Sequence, residues 1–113
     1  MKIELDGPNV EIDRSCLSPL ALMTHEWATN SMKYGALGSE NGTLHVHWSF
    51  AEDGINLRWV EKGVGTVSTG GAPGFGTLLV DTSSRQLRAR VERIVEPDSF
   101  TLDVHLPQSV LVA

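Results

Sequence analysis

The chain has 113 residues, and 9 basic against 14 acidic side chains leave a net charge of −5. For a mass of 12.3 kDa, area scaling buries roughly two-thirds of the unfolded surface, enough for one modest core without disulfide or metal staples. A composition 41% hydrophobic and 20% charged excludes a disordered chain, and the acidic balance excludes a general electrostatic pull towards nucleic acid or anionic lipid.

The single cysteine, Cys16, has no internal partner, which points to a reducing compartment. Glu4 and Asp6 interrupt the start where a secretion signal needs an apolar stretch, and no apolar run reaches membrane-spanning length. One cytoplasmic domain over residues 1–113, without membrane contact, is the expectation.

Residues 2–12 read as two short extended pieces broken at Gly7-Pro8-Asn9. Ser15 or Ser18 can cap the helix that follows, and Pro19 suits its first turn. From Leu17 to about Tyr34 the apolar spacing is helical, with Leu20, Met23, Trp27, Ser31 and Tyr34 marking the buried stripe, and Gly35 and Gly38 supply the stop. Residues 43–50 and 55–61 alternate as strands around the hairpin signal Glu52-Asp53-Gly54. Between Gly63 and Gly76 lie six of the chain's eleven glycines, which reads as a mobile loop. A short helix is predicted over 75–84, then strands over 87–95 and 99–106, turned at Pro97-Asp98. The order β-β-α-β-β-loop-α-β-β argues an α/β two-layer sandwich, with helices on one face of a mostly antiparallel mixed sheet.

Three groups carry chemistry on the long helix. At 100° per residue Glu26, Asn30 and Lys33 fall within about 60° of one another, beside the apolar stripe, so they line the rim of whatever cleft the helix borders. A carboxylate, an amide oxygen and an ammonium there suit Mg²⁺ and polyphosphate; an exposed flank with a routine charge pair is the alternative. His25, about 100° away from Glu26, reads as a half-buried structural histidine.

The segment Glu61-Lys62-Gly63-Val64-Gly65 ends a predicted strand, and Gly74-Phe75-Gly76-Thr77 opens a predicted helix, whose free N–H groups attract phosphate. Neither is a Rossmann fingerprint or a P-loop: the first lacks a third glycine, and no Gly-Lys-Ser/Thr occurs. His45 and His47 share one strand face, but two ligands do not make a zinc site. Arg85, Arg88, Arg90 and Arg93 lack interleaved aromatics and read as a solvated edge rather than a nucleic-acid surface. Trp27 and Trp48 read as core, and Phe75 and Leu79 as an exposed docking side.

In this order the motifs are far more specific than singly. Gly7-Pro8-Asn9-Val10, the helix segment His25-Glu26-Trp27-Ala28-Thr29-Asn30-Ser31-Met32-Lys33-Tyr34-Gly35-Ala36-Leu37, Trp59-Val60-Glu61, Gly74-Phe75-Gly76-Thr77 and His105-Leu106-Pro107 run through about residues 5–107. The chain thereby resembles the ATP-binding catalytic domain of a bacterial sensor histidine kinase of the HWE type, named for its histidine and Trp-x-Glu.

The resemblance implies a Bergerat-type (GHKL) sandwich that binds Mg-ATP and passes the γ-phosphoryl group to a histidine on a separate helical dimerisation domain, and so indirectly serves a response regulator. By that likeness Asn30 ligates Mg²⁺ and Glu26 orients a metal-bound water or assists proton transfer. Lys33 and Tyr34 border phosphates and sugar, and Glu61 reads the adenine amino group. Gly63 and Gly65 give the base room, residues 66–73 form the ATP lid, and Gly74, Gly76 and Thr77 hold phosphate. None of the four histidines suits a phosphoacceptor: His25 lies in the helix motif, and His45, His47 and His105 lie on predicted strands. Leu78 stands where such kinases often carry a basic residue, which implies one phosphate contact fewer. The alternatives are a degenerate domain that docks a signalling partner without turnover, and an anti-sigma-type serine kinase on the same sandwich. His25 and Trp-x-Glu argue against the latter.

Overall fold

A computed structural model describes residues 2–63 and 75–112, with side chains from residue 80 onward in the second stretch. Alternating apolar residues give five strands: β1 (Lys2–Asp6), β2 (Thr43–Ala51), β3 (Gly54–Lys62), β4 (Arg90–Glu96) and β5 (Ser99–Pro107). Two helices, α1 (Leu17–Tyr34) and α2 (Phe75–Leu87), lie between β1 and β2 and between β3 and β4.

The strands form one sheet in the order β1-β2-β3-β5-β4. Only β1 and β2 run parallel, since α1 is long enough to carry the chain back for a parallel partner. The β2–β3, β3–β5 and β4–β5 pairs are antiparallel. This is the mostly antiparallel mixed sheet that the element order implied.

The register decides which side chains face the helices. Leu44 pairs with Glu61, Val46 with Trp59 and Trp59 with Leu102, so all of these share one face. That face packs against Met23 and Trp27 of α1 and Leu87 of α2, with Ile55, Val104, Leu106 and Val110 completing the core. Trp27 meets Trp59 edge-on, ring centroids 5.8 Å apart at 63°, a geometry aromatic pairs favour beyond the area they bury. Both helices therefore lie on one side, and His45, His47, Arg58, Asp103 and His105 occupy the other.

Five local readings need correction. Neither Ser15 nor Ser18 caps α1: its N-cap is Cys16, with no side-chain cap bond. The second extended piece near residue 12 is only an isolated bridge from Ile12 to Leu111, because its partner comes from beyond β5 and no local pattern announces it. The helix predicted over 75–84 runs on to Leu87. It ends with Arg88 in the left-handed region, φ 56°, while Ala89 N–H donates to Ser84 O at 2.9 Å and Arg88 N–H to Arg85 O at 3.1 Å. This is a glycine-type stop made without a glycine, so composition gave no signal for it. Tyr34, assigned to the buried stripe, is 60% exposed: it is the last residue of α1, and the adjoining buried position is taken by Ala36. His25 is exposed rather than half-buried. Trp48 is half-buried beside the core, its indole donating to Pro8 O at 2.8 Å. The docking side assigned to Phe75 and Leu79 lies outside the described side chains.

Candidate functional site

The 18 residues of α1 bury Pro19, Met23, Trp27 and Ser31, one every fourth position. Glu26, Asn30 and Lys33 flank that line: Glu26 is half-buried, and Asn30 and Lys33 are exposed, as is Tyr34. The stripe thus stands at the rim between core and solvent. Glu26 and Lys33 form no ion pair among the described residues, which removes the support for a routine charge pair. Glu26 and Asn30, one helical turn apart, offer the hard oxygen donors that suit Mg²⁺, an ion that binds few protein ligands and keeps several waters. Lys33 adds a mobile cation for phosphate.

Glu61 lies elsewhere in sequence and close in space. Inward alternation along β3 puts Ile55, Leu57, Trp59 and Glu61 on the helix face, and Glu61 is only 3% exposed. A buried carboxylate requires donors, and the described residues supply three. Ser31 Oγ donates to Oε1 at 2.5 Å, Ala36 N–H donates to the same oxygen at 2.9 Å, and Trp59 Nε1–H donates to Oε2 at 2.9 Å. Ser31 Oγ also accepts from Leu37 N–H at 3.1 Å. The carboxylate therefore ties the end of β3 to the last turn of α1 and to the residues just after it. Ser31 adjoins Asn30, so the oxygen-rich stripe and the buried acid sit at the same end of the sandwich.

Gly35 is what admits the carboxylate. A Cβ there would stand 2.3 Å from Glu61 Oε1. Gly63 follows β3 in the left-handed region, φ 73°, with its N–H on Asp98 O at 3.2 Å, and a Cβ there would meet Asn41 O at 2.7 Å. The close neighbour of Gly63 is thus the Asn41 backbone. Gly76 and Thr77 fall in the first turn of α2, while Gly65, Gly74 and the lid at 66–73 lie outside the described residues.

Sequence reasoning treated Ser31 as one more member of an apolar stripe and missed its part in this network, together with Gly35, Ala36 and the Trp59 indole. A signal was present: a hydroxyl residue four positions after Trp27 on the buried line, and an acid on the inward-facing parity of β3.

A groove of about 650 Å³ on the opposite sheet face is lined by His47, Arg58, Arg90, Glu92, Asp103 and His105, among others. It shares no residue with the α1 stripe, and its charges are mixed, Arg58 pairing with Asp103 at 3.6 Å. His45 and His47 lie on that face with ring centroids 4.8 Å apart. No cluster of three or more metal-ligating side chains occurs among the described residues. The four arginines at 85, 88, 90 and 93 are exposed, and Arg93 lies over the Phe100 ring at 5.6 Å.

No family model matches the chain. Among curated proteins it is 33% identical over 114 residues to blue-light-activated histidine kinase 1 of Erythrobacter litoralis, covering 95% of this chain and 32% of that protein. It is 34% identical over 113 residues to the blue-light-activated histidine kinase of Brucella anthropi, covering 96% of this chain and 23% of that one. The chain thus spans a third or less of the relatives it matches. Among solved structures, the histidine kinase domain of the Erythrobacter litoralis EL346 blue-light-activated kinase superposes with a TM-score of 0.80 at 15% identity, over 96% of this chain and 55% of that one. The catalytic domain of the histidine kinase ThkA gives 0.65 at 11%, over 95% and 79%. At those identities the structures speak for the fold, and the sequence relatives for the type of domain.

Proposed function

We propose that this chain, a histidine-kinase catalytic domain of the HWE type by sequence and fold, binds Mg-ATP and passes its γ-phosphoryl group to a histidine on a separate helical dimerisation domain, feeding a response regulator from the cytoplasm. Residues 1–113 act as one domain in this reading. The observation that carries it is the convergence of two chemistries at one end of the fold. The half-buried Glu26 and the exposed Asn30 and Lys33 flank Ser31 on α1, with Asn30 adjoining it, and Ser31 holds the buried Glu61 carboxylate at 2.5 Å.

Asn30 and Glu26 would hold the magnesium ion, which when bound offsets charge on the phosphates. Lys33 meets a phosphate as a point charge, Tyr34 borders the sugar, and Glu61 accepts from the purine amino group. The N–H groups at the start of α2, with Gly74, Gly76 and Thr77, take the remaining phosphate oxygens. Gly63 and Gly65 are assigned to give the base room and residues 66–73 to form the ATP lid, of which only Gly63 lies within the described residues. Phosphoryl transfer asks mainly for positioning and charge stabilisation, and this set of groups supplies both.

A docking module without turnover is the second reading, favoured by Leu78 in place of a basic residue. The two part in one experiment, in which the chain is incubated with γ-labelled ATP, Mg²⁺ and a separately produced histidine-bearing helical domain of a relative. Acid-labile, base-stable label on the helical domain is expected. Saturable nucleotide binding with no transferred label would favour the docking module.

A further inference from the structure

We infer that Ser31 and Gly35 are positioning residues for purine discrimination: they fix the Glu61 carboxylate so that, among the described residues, one acceptor position is left, on Oε2, for the 6-amino group of an adenine nucleotide. The inference rests on the reading of Glu61 as the purine acceptor and adds the device that makes it selective.

A carboxylate has about four lone-pair sites and donates nothing. Two are filled on Oε1 by Ser31 Oγ and Ala36 N–H, and one on Oε2 by Trp59 Nε1–H. These donors come from α1, from the turn after it and from β3, so the group is held from three directions. The hydroxyl of Ser31 is itself oriented, because Leu37 N–H donates to its oxygen and leaves its proton for Glu61. Both side chains are at least 97% buried, so water does not compete for these bonds. The close approach exists only because position 35 has no side chain.

The consequence is chemical. A free carboxylate can swing to meet either the 6-amino donor of adenine or the ring N–H of a 6-oxopurine. A carboxylate locked by three donors cannot swing, and its remaining lone pair then meets the amino donor and repels a 6-oxo group. Selectivity comes from the clamp as much as from the acid.

The experiment measures ADP and IDP affinities of the 113-residue chain by calorimetry with Mg²⁺. The wild type is expected to prefer ADP. Ser31→Ala is expected to lower the ADP-over-IDP ratio by about tenfold or more, on the scale of a hydrogen bond to a charged group, with IDP affinity nearly unchanged. Gly35→Ala gives an independent route: its backbone (φ −132°) accepts alanine, and the new methyl displaces the carboxylate while keeping the Ser31 hydroxyl. The same drop in ratio is expected, and this variant decides the matter should Ser31→Ala fail to fold. An unchanged ratio in a folded variant, or equal weakening of both nucleotides, overturns the positioning role while leaving Glu61 as the acceptor. A wild type without preference overturns the Glu61 reading and this inference together.

Discussion

The side chain with the most defined surroundings in this domain is Glu61. Its two oxygens accept from donor-only groups on opposite sides, Ala36 N–H on Oε1 and Trp59 Nε1–H on Oε2. In Glu61→Gln the amide nitrogen must face one of them, whichever way it turns. The expected cost is about 1–3 kcal/mol, the penalty for a buried donor left without an acceptor, read as a lower urea midpoint at unchanged slope. Asn30 behaves oppositely. It is exposed on the rim of α1, so Asn30→Ala should leave the unfolding midpoint within about 0.5 kcal/mol of wild type. The same variant should weaken Mg²⁺-dependent ADP binding at least about tenfold, the scale of one direct ligand or charged hydrogen bond. A shift in stability without a change in binding would place Asn30 in the scaffold. The position of the acid was legible from strand parity. Its partners were not, because a serine on a buried line resembles any small core residue until the facing strand is known.

Among the elements, the span of α1 was readable but its cap was not, since Cys16 and neither Ser15 nor Ser18 stands at the N-cap. Spacings of three and four, Pro19 near its start and Gly35 just after its end all pointed to Leu17–Tyr34. The end of α2 was hidden for a physical reason. The chain stops that helix with Arg88 at positive φ, where an L side chain is strained by roughly 1–2 kcal/mol. Arg88→Gly should relieve that strain and stabilise the domain by about 1 kcal/mol in thermal unfolding, while the Ser84–Ala89 closing bond persists. A destabilised variant would show that the arginine side chain contributes more than its backbone costs. The β2–β3 and β4–β5 hairpins were legible from Glu52-Asp53-Gly54 and Pro97-Asp98, since each turn is local. The bridge from Ile12 to Leu111 was not, since it joins segments 99 positions apart.

For the molecule as a whole, layer architecture followed from element order, because amphipathic helices and half-apolar strands can bury their faces only against one another. Strand order was beyond that reasoning: placing β5 between β3 and β4 depends on which hairpin edges meet. The candidate residues could be picked out of the sequence, but their geometry could not. Glu26, Asn30 and Lys33 share the rim of α1, and Glu61 is brought to the same end of the sandwich by Ser31. The described parts of the site thus have oxygen donors, a cation and an acid gathered at one place. Calorimetric titration of the chain with ADP tests that account most directly. It predicts saturable one-to-one binding in the presence of Mg²⁺ that is lost on adding EDTA. Absence of saturable heat up to millimolar nucleotide, or binding indifferent to the chelator, would contradict it.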